Sequence, residues 1–512
     1  MRAAELPLYY NAVDILERNL AQRADKVALY SESRDMTFRQ VADEANRVGN
    51  ALKALDVRMG EFVGILSPDV PEWVASFFGI LKVGALAIGL NTLLKPHEYE
   101  YMLRDSRARV LIVHESLLPA IEGIRGNLPF LEHIVVIGRR AGYPSYADWI
   151  AGQPTTLEAA PTHRDDLCSL NYSSGTTGEP KGIPHAHKDY PLTAQLWGVN
   201  VLGLCEDDRT LGAPKLFFAF GMGGNLIFPW YVGASVVLFA GPPRNVTNFL
   251  KAVEQFKPTI LYNAPTGYAA SLALENFDQF DLSSLRLCVS AGESLPASVW
   301  HAWRSRTGVD IIDGIGSTEN FHIFLSNRPD DIRPGSSGKP FEGYELKIVD
   351  DEGQEVPHGE IGNLLVKGET AALCYLHQYE KSQRTFRGEW LFTGDKYYVD
   401  EDGYYWHAGR SDDMLKVGGI WVSPVEVEST LISHPAVLEC AVVGQADQSE
   451  LIKPKAFVTL KEGHAPSNAL AQELVAYCRE QMAEYKRPRW IEFVAELPKT
   501  ATGKIQRFKL RS

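Results

Sequence analysis

The 512-residue sequence has no long apolar run. Its most apolar stretch, Leu226 to Ala240, is broken by Pro229, Gly233 and Ser235 and is short for a membrane span. It reads as a buried turn followed by a core strand, Ser235-Val236-Val237-Leu238-Phe239. The first residues, Met1-Arg2-Ala3-Ala4-Glu5-Leu6-Pro7, lack the apolar core of a signal peptide. A soluble, cytoplasmic protein with no membrane partner is expected. Cysteine is scarce: Cys168, Cys205, Cys288, Cys374, Cys440 and Cys478 are scattered. No Cys-x-x-Cys pair exists, so neither a zinc site nor a redox dithiol is indicated, and buried free thiols are expected. A basic excess is absent too. Lys and Arg number 51 against 64 Asp and Glu, a net charge of −13. That balance argues against nucleic acid as the main partner, though local basic patches for phosphates remain compatible. No internal repeat or low-complexity segment interrupts the chain.

Apolar content of 45% and charged content of 22% are those of a globular protein, and the length calls for two or more domains. Val41, Ala45, Val48, Leu52 and Leu55 recur at steps of three and four, which predicts a helix from Thr37 to Leu55. Phe62 to Leu66 reads as a buried strand. A mostly buried helix follows from Glu72 to Val83, stopped by Gly84. Further strands are expected at 85–88, 110–113, 134–137, 259–262 and 285–289. Strands alternating with helices indicate a parallel sheet covered on both faces. After about residue 335, short strands with Asp/Gly turns suggest a small antiparallel sheet or barrel. From Ser411 the pattern resets. Strands at 441–443 and 456–460 and a helix capped by Ser467 would form a separate domain.

One stretch stands out: Asn171-Tyr172-Ser173-Ser174-Gly175-Thr176-Thr177-Gly178-Glu179-Pro180-Lys181-Gly182. Free backbone N–H groups, short hydroxyls and a lysine suit an anion, and glycine lets the backbone approach a phosphate. The spacing is not that of a Walker A loop, since after Gly175 and four intervening residues comes Pro180, where that pattern needs glycine, and then Lys181-Gly182. The stretch resembles the phosphate-binding signature of the adenylate-forming (acyl-activating) enzymes, with Ser173 where the family often has Thr. That family joins a carboxylate to AMP using ATP, then passes the acyl group to a thiol or oxidises it.

Five more stretches resemble the family in the family's order. Ser290-Ala291-Gly292-Glu293 follows a predicted strand; by itself it is an ordinary strand-to-helix turn, and the resemblance implies packing on the adenine. Asp313-Gly314-Ile315-Gly316-Ser317-Thr318-Glu319 implies ATP contacts, with Thr318 at the α-phosphate and Glu319 at Mg²⁺, a cation that prefers hard oxygen ligands. A lone Thr-Glu is more often a helix cap. Thr393-Gly394-Asp395 implies a carboxylate on a turn, accepting from both ribose hydroxyls. Gly409-Arg410-Ser411-Asp412-Asp413 implies a ribose contact from Arg410 and a hinge at Asp412, with Gly418-Gly419 beside the pantetheine arm of CoA. Pro498-Lys499-Thr500-Ala501-Thr502-Gly503-Lys504 implies that Lys504 is essential for adenylate formation. The implied fold is α/β. A large N-terminal domain (1–410) has stacked α/β sheets and a small barrel-like subdomain. A small mobile α+β domain (411–512) carries the lysine.

Lys215-Leu216-Phe217-Phe218-Ala219-Phe220-Gly221 lies where the family keeps its acid pocket. Amino-acid-activating domains typically have Phe-Asp there. The run Phe218-Ala219-Phe220 offers no counter-charge for a buried ammonium. It resembles benzoate-type CoA ligases, as do Tyr10-Asn11-Ala12 and the stretch containing His322. The resemblance implies Ala219, Phe220, Gly221, Gly314, Ile315 and His322 around an aryl ring. The expected reaction is ATP-dependent ligation of benzoate or a substituted benzoate, such as 2-aminobenzoate, to CoA. Two competitors share every ATP motif: an aryl-adenylating enzyme that loads a carrier protein, and a medium-chain fatty acyl-CoA ligase. A homodimer stays open.

Overall fold

The computed structural model describes residues 1–173, 180–242, 245–417, 420–447, 451–499 and 505–511, with backbone alone at Lys416, Ile420 and Trp421. The predicted first helix forms as Phe38–Ala54 and starts on a capping box. Thr37 Oγ accepts from Gln40 N–H, and the Gln40 side chain accepts from Thr37 N–H. The second forms as Pro71–Lys82, buried at every residue but Glu72. A helix buried all round belongs between layers.

The stacked α/β sheets that the resemblance implies form as two mostly parallel sheets. Among the described residues, one sheet runs in the order His133–Ile137, Val110–His114, Phe62–Leu66, Leu86–Gly89, Leu167–Ser173, Lys181–Ala186. Its first five strands are parallel, and the last returns antiparallel. The other has nine strands, six of them parallel: Ile311–Gly316, Leu287–Ser290, Ile260–Asn263, Arg209–Gly212, Ser235–Val237 and Val27–Tyr30. Val63, Ile65 and Ile112 of the first sheet share one core with Val236, Ile260 and Ile312 of the second, and with Phe38, Val41, Trp73 and Phe77 of the two helices. The parallel strands are apolar on both faces because helices and core cover both.

The expected small antiparallel sheet forms from Tyr344–Val349, Gly362–Gly368, Phe386–Arg387, Trp390–Val399 and Tyr405–Arg410. Beyond it, Val437–Ala446, Ile452–Leu460 and Trp490–Phe493 pair as a separate sheet. Helices Pro424–Ile432 and Asn468–Gln481 pack on that sheet through Val427, Leu431, Leu474 and Cys478. Ser467 Oγ accepts from Leu470 N–H at 3.1 Å, capping the second helix as predicted.

Two expectations are corrected. The stretch before Ser235 is helical, not a turn. Gly223–Ile227 is a π-helical turn and Phe228–Val232 an α-helix. Asn225 breaks the regular geometry (φ −115°) because its amide bridges two strands, accepting from Thr210 Oγ1 at 2.8 Å and donating to Val237 O at 2.9 Å. All six cysteines are free, but Cys205 and Cys374 are exposed rather than buried. No helix among the described residues is long and apolar enough to cross a membrane.

Candidate active site

The antiparallel strands Leu167–Ser173 and Lys181–Ala186 end with Ser173 paired to Lys181. Ser174, Gly175, Thr176, Thr177, Gly178 and Glu179 between them lie outside the described residues, as do Gly418, Gly419 and Lys504. Lys181 is half-buried, with its Nζ 4.8 Å from the centre of the Tyr375 ring. Burial lowers its pKa below the ordinary lysine value, against the opposing charge of Glu319.

Thr318 and Glu319 occupy one 3-10 turn, Thr318–Asn320, whose cap is Ser317 rather than Thr318. Three outside groups hold its three successive carbonyls. His185 Nε2–H donates to Thr318 O at 2.7 Å, Ala372 N–H to Glu319 O at 2.7 Å, and the Thr370 hydroxyl to Asn320 O at 3.2 Å. His185 is fully buried, and its Nδ1 lies 2.9 Å from Asp189 Oδ2. A carbonyl only accepts, so Nε2 carries the hydrogen in that contact. Asp189 thus fixes the ring, and the ring fixes the turn. The turn ends at Phe321, whose φ of +68° is rare for a residue with a side chain. Its ring is buried against Tyr190 (4.6 Å between centroids) and His185 (5.4 Å), and this packing holds the strained backbone in place. On the side chain of Glu319, Oε1 accepts from the Tyr375 hydroxyl at 2.7 Å.

Asp395 lies within the strand Trp390–Val399, not on a turn as expected, and pairs across the ladder with Arg410. Arg410 Nη1 donates to Asp395 Oδ1 at 3.0 Å, and His407 Nε2 is 3.5 Å from the same oxygen. His407 Nδ1 meets Ser294 Oγ at 2.7 Å, which ties this strand pair to the Ser290–Glu293 turn. Burial by itself would raise the Asp395 pKa. The Arg410 charge and the His407 contact outweigh it and hold the carboxyl at about 2. Asp313 sits opposite Ser290 in adjacent parallel strands. There burial wins, pushing its carboxyl up to about 8, and its Oδ1 has no hydrogen-bond partner.

The acid-pocket candidates gather around one ring cluster. Phe220 lies 5.3 Å from His322 and 5.9 Å from Tyr262, and Trp197 lies 5.0 Å from His322. Gly314, Ile315 and Gly316 run alongside, since their strand pairs with Ile323–Ser326 directly after His322. Two glycines are required by close approach. A Cβ on Gly316 would fall 2.5 Å from the His322 carbonyl oxygen, and one on Gly221 would fall 2.2 Å from that of Lys215. Burial depresses the His322 pKa to about 3, so the ring is neutral at pH 7. Its Nε2–H donates to Phe220 O at 3.2 Å, which leaves Nδ1 an acceptor. His322 Nδ1, the Tyr262 hydroxyl and Trp197 Nε1 are all buried without a hydrogen-bond partner. Two π-helical turns, Ala194–Val199 and Gly223–Ile227, flank the cluster. Such turns occur often at functional sites.

The structure therefore brings together Lys181, Asp313, Thr318, Glu319, Asp395 and Arg410, and beside them Phe220, Ile315 and His322. Sequence reasoning missed His185, Asp189, Tyr262, Trp197, Tyr375 and His407. The pair His185-Ala186-His187, four residues after Lys181, was the one visible sign among them.

The family model for AMP-binding enzymes matches residues 16–376, and that for the AMP-binding enzyme C-terminal domain matches residues 426–504. The benzoate–CoA ligase of Thauera aromatica is 48% identical over 514 residues, covering 100% of this chain and 97% of that protein. The crystal structure of the anthranilate CoA ligase AuaEII in complex with anthranoyl-AMP is 74% identical, with a TM-score of 0.98, covering 100% of this chain and 98% of that one. A benzoate CoA ligase structure from Burkholderia xenovorans LB400 is 40% identical, with a TM-score of 0.91, covering 98% and 100%.

Proposed function

The chain belongs to the AMP-binding enzymes and is an AMP-forming aryl-CoA ligase, and we propose that its preferred acid is 2-aminobenzoate. The observation that carries the choice is the cluster of unpartnered polar atoms around Phe220. A ring amine donates hydrogen bonds, and His322 Nδ1 is a buried acceptor without one. An unsubstituted benzoate would leave it unpaired, at a cost of roughly 1–3 kcal/mol. An aniline amine is uncharged at pH 7 and needs no counter-charge. The 74% identical anthranilate CoA ligase supports the same reading.

The carboxylate oxygen attacks the α-phosphorus of ATP, and pyrophosphate leaves. The CoA thiol then attacks the acyl carbon of the aryl adenylate, forming the thioester as AMP leaves. The first step crowds negative charge, so the chain's part is positioning and electrostatic stabilisation. We assign the β- and γ-phosphates to the segment from Ser173 to Lys181, the α-phosphate to Thr318, and the ribose to Asp395 and Arg410. Asp313, with its free Oδ1, takes the adenine amine beside Ala291 and Gly292. Among the described residues no cluster of three His, Cys, Asp or Glu side chains forms. Mg²⁺ is held in many sites by one or two carboxylates plus substrate phosphates, and Glu319 beside Thr318 fits that mode. When bound there, Mg²⁺ supplies positive charge to the phosphate oxygens. Lys504 adds a second positive charge for adenylation.

We divide the chain between Arg410 and Ser411, with Asp412 as the hinge of a mobile C-terminal domain. Gly418 and Gly419 flank the pantetheine path. CoA rather than a carrier protein is the assigned acceptor, in the cytoplasm. ATP–pyrophosphate exchange with 2-aminobenzoate, benzoate, hydroxybenzoates, octanoate and phenylalanine, followed by transfer to CoA or carrier protein, tests the reading. Exchange is expected to be fastest with 2-aminobenzoate; exchange with octanoate alone would overturn it.

A further inference from the structure

We propose that Tyr375 is a positioning residue that couples the metal-binding carboxylate to the lysine after the phosphate-binding segment. The inference rests on the reading of Glu319 as the Mg²⁺ carboxylate. One side chain makes both contacts. The Tyr375 hydroxyl donates to Glu319 Oε1 at 2.7 Å, and the face of its ring carries the Lys181 ammonium at 4.8 Å. Tyr375 is buried and its ring is braced edge-on by Phe386, 5.2 Å away.

Its backbone is stitched to the same two elements. Ala372 N–H donates to Glu319 O at 2.7 Å, Leu376 N–H to Gly182 O at 2.8 Å, and Tyr375 N–H to Ser382 Oγ at 2.9 Å. Residues 372–376 therefore bridge the strand that begins at Lys181 and the turn that carries Glu319. A ligating carboxylate has two oxygens, and a donor on one of them decides how the other is presented. With Oε1 occupied by the phenol, Oε2 is left for the cation. The ring under Lys181 keeps that ammonium from pairing with Glu319 and competing with the cation.

The test uses the full chain, Mn²⁺ as the probe and a non-hydrolysable α,β-methylene ATP analogue, with bound Mn²⁺ read by electron paramagnetic resonance. Tyr375→Phe keeps the ring and removes the hydroxyl. It is expected to weaken Mn²⁺ binding roughly 10-fold or more, the size seen when a hydrogen-bonding partner of a ligand is removed, with the KM for 2-aminobenzoate within about twofold. Ser382→Ala, which loosens the Tyr375 backbone, is expected to move Mn²⁺ affinity the same way by less. Should Tyr375→Phe fail to fold, Ser382→Ala carries the test alone. Unchanged Mn²⁺ affinity in the folded variants overturns the proposal, as does an equal loss of affinity for metal, nucleotide and acid. Glu319→Gln separates the two readings. If it leaves Mn²⁺ binding intact, the assignment of Glu319 fails and Tyr375 with it. If it abolishes binding while Tyr375→Phe does nothing, only the role of Tyr375 falls.

Discussion

Asp395→Asn changes a charge and little else, and two consequences can be worked out. Asp395 is 8% exposed, and its carboxyl is held at about 2 against an ordinary value of 3.8. A depression of that size corresponds to about 2 kcal/mol of preference for the charged form in the folded state. Arg410, the main source, is 43% exposed on its side chain; solvent screening discounts the figure to about 1–2 kcal/mol. The sign follows from the direction. The contribution is complete above the unfolded carboxyl value near 4 and is lost as pH falls from there through about 2. Asparagine resembles the protonated carboxyl. The variant should thus be about 1–2 kcal/mol less stable at pH 7, and the gap should close as pH drops toward 2. The second consequence concerns ATP. A charged acceptor for ribose hydroxyls is worth roughly 1.5–3 kcal/mol per bond, so the KM for ATP should rise about 10- to 100-fold. The KM for 2-aminobenzoate should stay within about threefold. Urea unfolding followed at pH 7, 5 and 3, together with ATP–pyrophosphate exchange, measures both. A stability gap independent of pH, or a rise confined to the KM of the acid, would refute the reasoning.

Three further outcomes are expected. Lys504→Ala should slow pyrophosphate exchange by about 100-fold or more, the scale of losing a charge aimed at the transition state. It should largely spare CoA transfer from pre-formed 2-aminobenzoyl-AMP, and an equal loss in both half-reactions would remove the assignment. Asp189→Ala removes the buried carboxylate that contacts His185 Nδ1. It should destabilise the protein by about 1–3 kcal/mol and slow exchange through the Thr318–Asn320 turn, read as a lower urea midpoint and a lower kcat. His322→Phe removes the Nδ1 acceptor, so the preference for 2-aminobenzoate over benzoate in kcat/KM should fall about 5- to 100-fold; an unchanged ratio would move the amine elsewhere.

Two sets of residues differ in how far the sequence reveals them. Glu319, Asp395 and Arg410 could be singled out in the sequence because each sits in a short motif that resembles one of the family's. Asp395 was still misplaced, on a turn rather than in a strand, because ladder pairing with Arg410 is set 15 residues away. Tyr375, His185 and Asp189 were invisible. Each acts on the Thr318–Asn320 turn from a distance of 56 to 133 residues in sequence, or through another such residue.

Sequence alone determined the elements whose physics is short-range. The capped helix Phe38–Ala54, the buried strand Phe62–Leu66, the Ser467 cap and the antiparallel sheet after Tyr344 follow from periodicity and local hydrogen bonds. The motifs, in the family's order, also carried the resemblance that implies adenylate-forming chemistry. Only the tertiary structure decided which strands share a sheet, because the alternating pattern reads the same for one parallel sheet or two. Long-range burial likewise decided the helical form of Gly223–Val232, where Asn225 is drawn off helical geometry by strands at Thr210 and Val237. It alone collected His322, Tyr262 and Trp197 around Phe220. The local run Phe218-Ala219-Phe220 pointed to an aryl acid, but the ring contacts of Trp197, Tyr262 and His322 around it come from residues far apart in sequence.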